Sequence, residues 1–159
     1  MQKAQRCIVV VRVRGTSDIR GDIQDTLDML NLTHNCNATL IDDRPSYLGM
    51  LRKAQNCATW GEPSKETIIR LLKERGRSVG NKRLSEEDAK KLGYDTLEEL
   101  ADAIYSLDVQ LKDLSSIKPV FRLHPPRKGF KGSVKKSFKT GGVTGYRGEA
   151  INDLVNRMT

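Results

Sequence analysis

The sequence predicts an α+β protein, and three observations carry that reading. In the first sixty residues, short β-branched or alternating apolar runs take turns with helix-spaced ones, in the order β-α-β-α-β. The next fifty residues read as helices. Residues 114–148 then hold nine Lys or Arg and no Asp or Glu, and an amphipathic helix closes the chain behind them. The expected architecture is a three-stranded sheet with two helices on one face, followed by a helical insertion and a long basic loop tied down by the last helix. Pattern alone leaves the strand order open. Three units are expected: a core over residues 1–62, the insertion over 63–113, and a basic extension with its helix over 114–159.

The elements follow in order. Residues 7–13 (CIVVVRV) form an apolar, β-branched run and read as a central strand. Residues 14–18 are a polar turn. Ile23, Leu27 and Leu30 fall at i, i+4 and i+7, one face of a helix over 22–32. Residues 36–42 alternate as a second strand. Ser46 then reads as the N-cap of a helix over 47–54, and a third strand lies around 57–60.

Ser64 can cap a helix over 65–75, with Gly76 as the C′ residue, a position usually left-handed. Two capping-box starts, Ser85 with Asp88 and Thr96 with Glu99, open helices that end at Gly93 and near Leu107. Residues 119–124 suit an added strand. Pro125, Pro126 and six glycines should keep the following loop from holding regular structure. Few apolar side chains are there to offset about 1–2 kcal/mol of backbone entropy per residue, so an anionic partner is expected to order it. Ile151, Leu154, Val155 and Met158 define the final helix.

Composition narrows the function. The net charge of +8 comes from the basic stretch, because residues 1–113 carry 18 basic and 18 acidic side chains. A block of one sign repels itself and is most stable beside a polyanion. Phe130, Phe138 and Tyr146 lie within it and can stack on unpaired bases. Trp60, at a strand end, reads as core. Residues 84–108 carry eight Asp or Glu against two Lys and read as a solvated face turned away from a polyanion. No apolar run approaches the roughly 18 residues of a membrane span, and the glycines and prolines deny the basic block an amphipathic membrane-surface helix. Nor does any stretch read as a signal peptide. Cys7, Cys36 and Cys57 are odd in number and form no CxxC, which argues for buried thiols in a reducing compartment. No catalytic constellation can be assembled around His34 or His124. The pair Asp42-Asp43 reads as polar punctuation, and no metal or cofactor is expected.

With the elements placed, the chain resembles the large-subunit ribosomal protein L-thirty family, in the archaeal form related to eukaryotic L-seven. The resemblance rests on Thr26–Leu32 (TLDMLNL) and on Asp43-Arg44-Pro45-Ser46-Tyr47-Leu48-Gly49-Met50-Leu51-Arg52-Lys53. It continues in Trp60-Gly61-x-Pro63, Leu72-Lys73-x-Arg75-Gly76 and Asn81-Lys82-Arg83. Phe121-Arg122-Leu123, Pro126-Arg127-Lys128-Gly129, Gly141-Gly142, Ile151-Asn152-x-Leu154 and Arg157-Met158 complete it. It implies a three-stranded antiparallel sheet of order 3-1-2, a helical insertion packed beside that core, and no catalysis. It also implies a structural role in the cytoplasmic large ribosomal subunit, on large-subunit rRNA near 5S rRNA and among other large-subunit proteins.

The expected rRNA contacts are Arg14, Arg52 and Lys53 of the core, and Arg75, Arg77, Lys82 and Arg83 around a basic turn. The loop adds Lys118, Arg122, Arg127, Lys128, Lys131, Lys135, Lys136, Lys139 and Arg147. The alternative is a ribosome-assembly or RNA-processing factor using the same surface. An enzyme of that kind needs a carboxylate or histidine cluster beside the loop, which offers only His124.

Overall fold

The first strand, β1 (Cys7–Arg12), is buried at every residue. Successive side chains of a strand point to opposite faces, so both of its faces need cover. In the computed structural model, which describes residues 6–159, helices supply it on both sides. Ile8 and Val10 pack with Leu27 and Leu30 from the region of α1 (Gly21–Met29) and with Leu51 of α2 (Pro45–Lys53). Val9 and Val11 belong to the second cluster. That cluster contains residues of α3 (Lys65–Arg75), α4 (Glu86–Lys91), α5 (Leu97–Tyr105) and α6 (Ile151–Met158). The insertion therefore packs directly against the core. It covers the face of the sheet that α1 and α2 leave bare.

The sheet also differs from the expected three antiparallel strands. It has five and is mixed, in the order β4-β2-β1-β3-β5. The central strands β2 (Asn37–Asp42), β1 and β3 (Ala58–Gly61) pair antiparallel, with Val9 opposite Leu40 and Val10 opposite Trp60. Two short segments from beyond residue 113 cap the flanks. β4 (Phe121–Arg122) adds antiparallel to β2, and β5 (Gly145–Tyr146) adds parallel to β3. The physical reason is the unpaired row of N–H and C=O groups that a bare edge leaves exposed. Phe121 is fully buried, and Thr39 Oγ1 donates to the Pro119 carbonyl at 2.8 Å, which holds the β4 segment in place.

Local chemistry sets the helix ends. Ser64 Oγ accepts the Thr67 amide at 3.2 Å, and Thr96 Oγ1 accepts that of Glu99 at 3.2 Å. The Ser85 amide donates to the Asp88 carboxylate at 3.1 Å. Three expectations need correction. Ser46 is not the cap of α2: Arg44 holds that position and Pro45 fills the first turn, where its fixed φ suits a helix and its missing N–H costs nothing. Gly76 is extended, with φ −61°, rather than left-handed. It is glycine because a Cβ there would collide with the Leu72 carbonyl. Helix α1 stops at Met29, before the expected residue 32, because Asn31 turns left-handed and the Leu32 amide closes back on the Leu27 carbonyl at 2.8 Å.

Two charged side chains are buried within this frame. Arg12 is fully buried and donates to the carbonyls of Leu32 (2.7 Å), Arg14 (2.8 Å) and Gly15 (3.2 Å) and to Gln24 Oε1 (2.9 Å). It ties the β1–α1 turn, α1 and the turn after α1 to one strand end. Asp42, 2% exposed, ends β2. It accepts from Arg44 Nη2 at 2.6 Å, Arg44 Nε at 2.8 Å and Gln110 Nε2 at 2.8 Å. The three cysteines are free and buried, and burial pushes the Cys7 thiol up to about 12, with the Asp42 charge adding to it. Trp60 is in the α1/α2 core, 9% exposed. Among the described residues no helix is long and apolar enough to cross a membrane.

Asp42 makes stability depend on pH. Burial on its own raises the carboxyl's pKa, but the hydrogen bonds and charge of Arg44 outweigh it and hold the group below its ordinary 3.8. A depressed carboxylate contributes fully above its unfolded pKa and loses that contribution as pH falls through the folded value. Asp42→Asn should therefore cost about 1–3 kcal/mol at pH 7 and progressively less below pH ~4. Urea unfolding of both proteins at neutral and acid pH measures this. An equal penalty at both would show that the charge contributes nothing.

Candidate nucleic-acid interface

The basic stretch crosses the molecule from one sheet edge to the other. Arg122 is on β4 and Tyr146 on β5, four strand spacings apart, about 19 Å. Between them the chain runs past the end of α6, whose last carbonyls lack helical partners. The His124 amide donates to the Met158 carbonyl at 3.2 Å and the Arg127 amide to that of Arg157 at 3.0 Å. In return, Arg157 Nη1 donates to the Gly129 carbonyl at 2.7 Å.

Beyond this lacing the chain folds into a knot, contrary to the expectation of a loop without regular structure. Ser137 and Thr144 form a parallel bridge, and residues Phe138–Thr140 make a 3-10 turn. The Phe138 amide donates to the Thr144 carbonyl at 2.7 Å, and the Val143 amide to that of Lys136 at 2.9 Å. Gly142 permits this, because any Cβ there would strike the Lys136 carbonyl. Val143 and Thr144 are buried, and Phe130 and Val134 pack against the core. A few inward side chains and mutual backbone bonding are thus enough to give this stretch regular structure.

Arg147 locks the knot to the sheet. Its Nε donates to Thr59 Oγ1 at 2.8 Å, its Nη2 donates to the Val143 carbonyl, and its guanidinium lies 4.9 Å from the centre of the Phe138 ring. Burial lowers its pKa to about 10, with the nearby Arg157 charge adding to the effect. These bonds make Arg147 a strut within the protein. The outer side of the stretch is different: Arg127, Lys128, Lys131, Lys135, Lys136 and Lys139 are all exposed. Lys131 lies 3.9 Å from Asp153, the one ion pair these six side chains make among the described residues.

The other expected contacts are dispersed. Arg122 is exposed on β4 and Lys118 half-buried before it. Arg77 and Arg83 face each other across a small bridge with exposed Lys82 near its tip, and Arg83 pairs with Glu74 at 3.4 Å. Arg75 donates to the Thr159 carbonyl at 3.1 Å. Exposed Arg52 and Lys53 end α2, on the face opposite α6, and Lys53 is 3.8 Å from Asp22. Arg14 is half-buried and its carbonyl accepts from Arg12. Of the aromatic candidates, Phe130 is half-buried and Phe138 is 39% exposed. Tyr146 is 44% exposed and donates to Glu62 at 2.7 Å.

Sequence reading missed Arg157. Its i+4 spacing from Asp153 signals the intrahelical pair seen at 3.1 Å, but nothing signals its bond to a carbonyl 28 residues upstream.

The two kinds of basic residue should separate in experiment. Arg147→Met should cost about 1–3 kcal/mol and open Lys135–Lys139 to trypsin. Lys135→Gln with Lys139→Gln should stay within about 0.5 kcal/mol of the parent. Urea unfolding and timed trypsin digestion measure both, and a stable, protease-resistant Arg147→Met would show that the strut is dispensable.

Known proteins resemble this chain in sequence. Residues 8–56 match the family model described as ribosomal protein L30p/L7e. The large ribosomal subunit protein uL30 of Methanosphaera stadtmanae is 51% identical over 94% of this chain and 97% of its own length. The uL30 of Thermofilum pendens is 48% identical, with the same coverage. That of Methanopyrus kandleri is 47% identical over 92% of this chain and 99% of its own. Likeness at that level, end to end, places residues 57–159 in the same lineage as the matched core: the chain belongs to the ribosomal protein L30p/L7e family.

Proposed function

We propose that this chain is a structural constituent of the large ribosomal subunit in the cytoplasm, bound to large-subunit rRNA near 5S rRNA and to neighbouring subunit proteins. It performs no catalysis. One observation carries the RNA contact: six exposed cations ride on a folded platform fixed to the sheet at one end and to α6 at the other. In this reading residues 1–62 are the core, residues 63–113 cover its second face, and residues 114–159 are the main contact unit. Phosphate contacts supply most of the affinity, and the shape of the RNA supplies specificity. Arg122, Lys82 and Arg83 on one side, and Arg52 and Lys53 on the other, extend the contact to separate RNA segments. The relatives' name, large ribosomal subunit protein, supports this assignment.

The reading sets a salt dependence. With six phosphate contacts, log K against log salt should slope by roughly −4 to −5, at about −0.7 to −0.9 per contact. Changing Lys128, Lys131, Lys135 and Lys136 together to Gln should make the slope shallower by about 3. The chain should also sediment with large subunits and leave them only in high salt. An unchanged slope, or a chain found free of subunits at low salt, would refute the assignment of this surface.

A further inference from the structure

A cavity of about 260 Å³ lies between the knot and α6. Its lining includes Phe130, Phe138, Gly142, Arg147, Asp153 and Arg157. We propose that it receives one unpaired base of the bound RNA, turned inward from a backbone held by the surrounding lysines. The proposal rests on the RNA-binding reading above and adds a base-specific element to it.

Four features favour a base over another occupant. The volume is just under the roughly 300 Å³ where drug-sized sites begin, which suits a single ring system. Phe130 and Phe138 both line it, and every base has a π-face that can lie against an aromatic ring. The Arg147 guanidinium, which lies over Phe138, adds a second flat group to the lining on which a base can stack, and its half-buried position leaves its charge less hydrated than at an open site. On the wall formed by α6, Asp153 offers acceptors for the edge of a base, and its ion pair with Arg157 at 3.1 Å holds the carboxylate in position. Charge decides between a nucleotide and an apolar peptide side chain. Lys131 is part of the lining, and Lys135, Lys136 and Lys139 are exposed in the same knot, where they suit the phosphates on either side of an inserted base.

The test uses the full chain and three probes of equal length: single-stranded oligoadenylate, an abasic ribose-phosphate strand, and an RNA duplex. The oligoadenylate should bind about 5- to 150-fold more tightly than the abasic strand, the equivalent of the ~1–3 kcal/mol that a stacked base contributes. Two variants probe the pocket from opposite directions. Phe138→Ala removes a wall, and Ala150→Trp fills the space from an exposed lining position. Each should bring oligoadenylate down to the abasic level and leave duplex affinity and its salt slope unchanged, with circular dichroism confirming that both fold. Equal binding of oligoadenylate and abasic strand by the parent would overturn the pocket while the phosphate-contact reading stands. A preference that survives both variants would place the base elsewhere and also overturn it. Failure to bind any of the three would remove the RNA reading itself, and the pocket with it.

Discussion

Strand β1 must be buried on both faces, and the rest of the structure answers that requirement. Its residues are apolar from Cys7 to Val11, so one layer of helices leaves Val9 and Val11 in water. Fully burying a Val or Leu side chain is worth about 1.5–3 kcal/mol, and the second cluster gathers Ile68, Leu72, Leu100, Ile104, Leu154 and Met158 against that face. The chain beyond residue 62 is therefore as much a part of the core as the strands themselves. Arg12 is the exception in β1. Its charge is tolerated because three carbonyls and an amide oxygen replace the water it loses.

The chain beyond residue 113 finishes the sheet. β4 and β5 are only two residues long, yet each closes an edge and fixes one end of the basic stretch. Anchoring makes the stretch a platform rather than a tether. Six like charges on one short segment repel one another, and Val143, Arg147 and the lacing to α6 hold the fold against that repulsion. A contact surface ordered in advance loses less entropy on meeting RNA. Two classes of basic residue result. Arg147 and Arg157 spend their hydrogen bonds inside the protein, while the lysines of the same stretch stand exposed on its outer side.

Much of this was legible in the sequence because it is local. Period-2 and period-3.6 patterns, Ser64, Ser85 and Thr96 at helix starts, and the stripe Ile151, Leu154, Val155, Met158 all depend on near neighbours in the chain. The location of the excess charge needed only counting. The resemblance to a known family then supplied what local pattern does not encode, and the near-full-length relatives support it.

What only the tertiary structure decided concerns groups far apart in the chain. A glycine-rich, proline-containing stretch looks structureless locally because its stabilising partners, the α6 carbonyls, Thr59 and the β3 edge, are distant in sequence. Gly76 looks like a left-handed stop until the Leu72 carbonyl is seen against it. Arg147 reads as one cation among nine until Phe138 and Val143 close around it. The sequence by itself determined which residues are apolar, which are charged and how each short segment prefers to bend. Which strands gain a partner, which face a helix covers and which arginine is removed from water were settled by packing, because burial is a property of the assembled chain and not of any one segment.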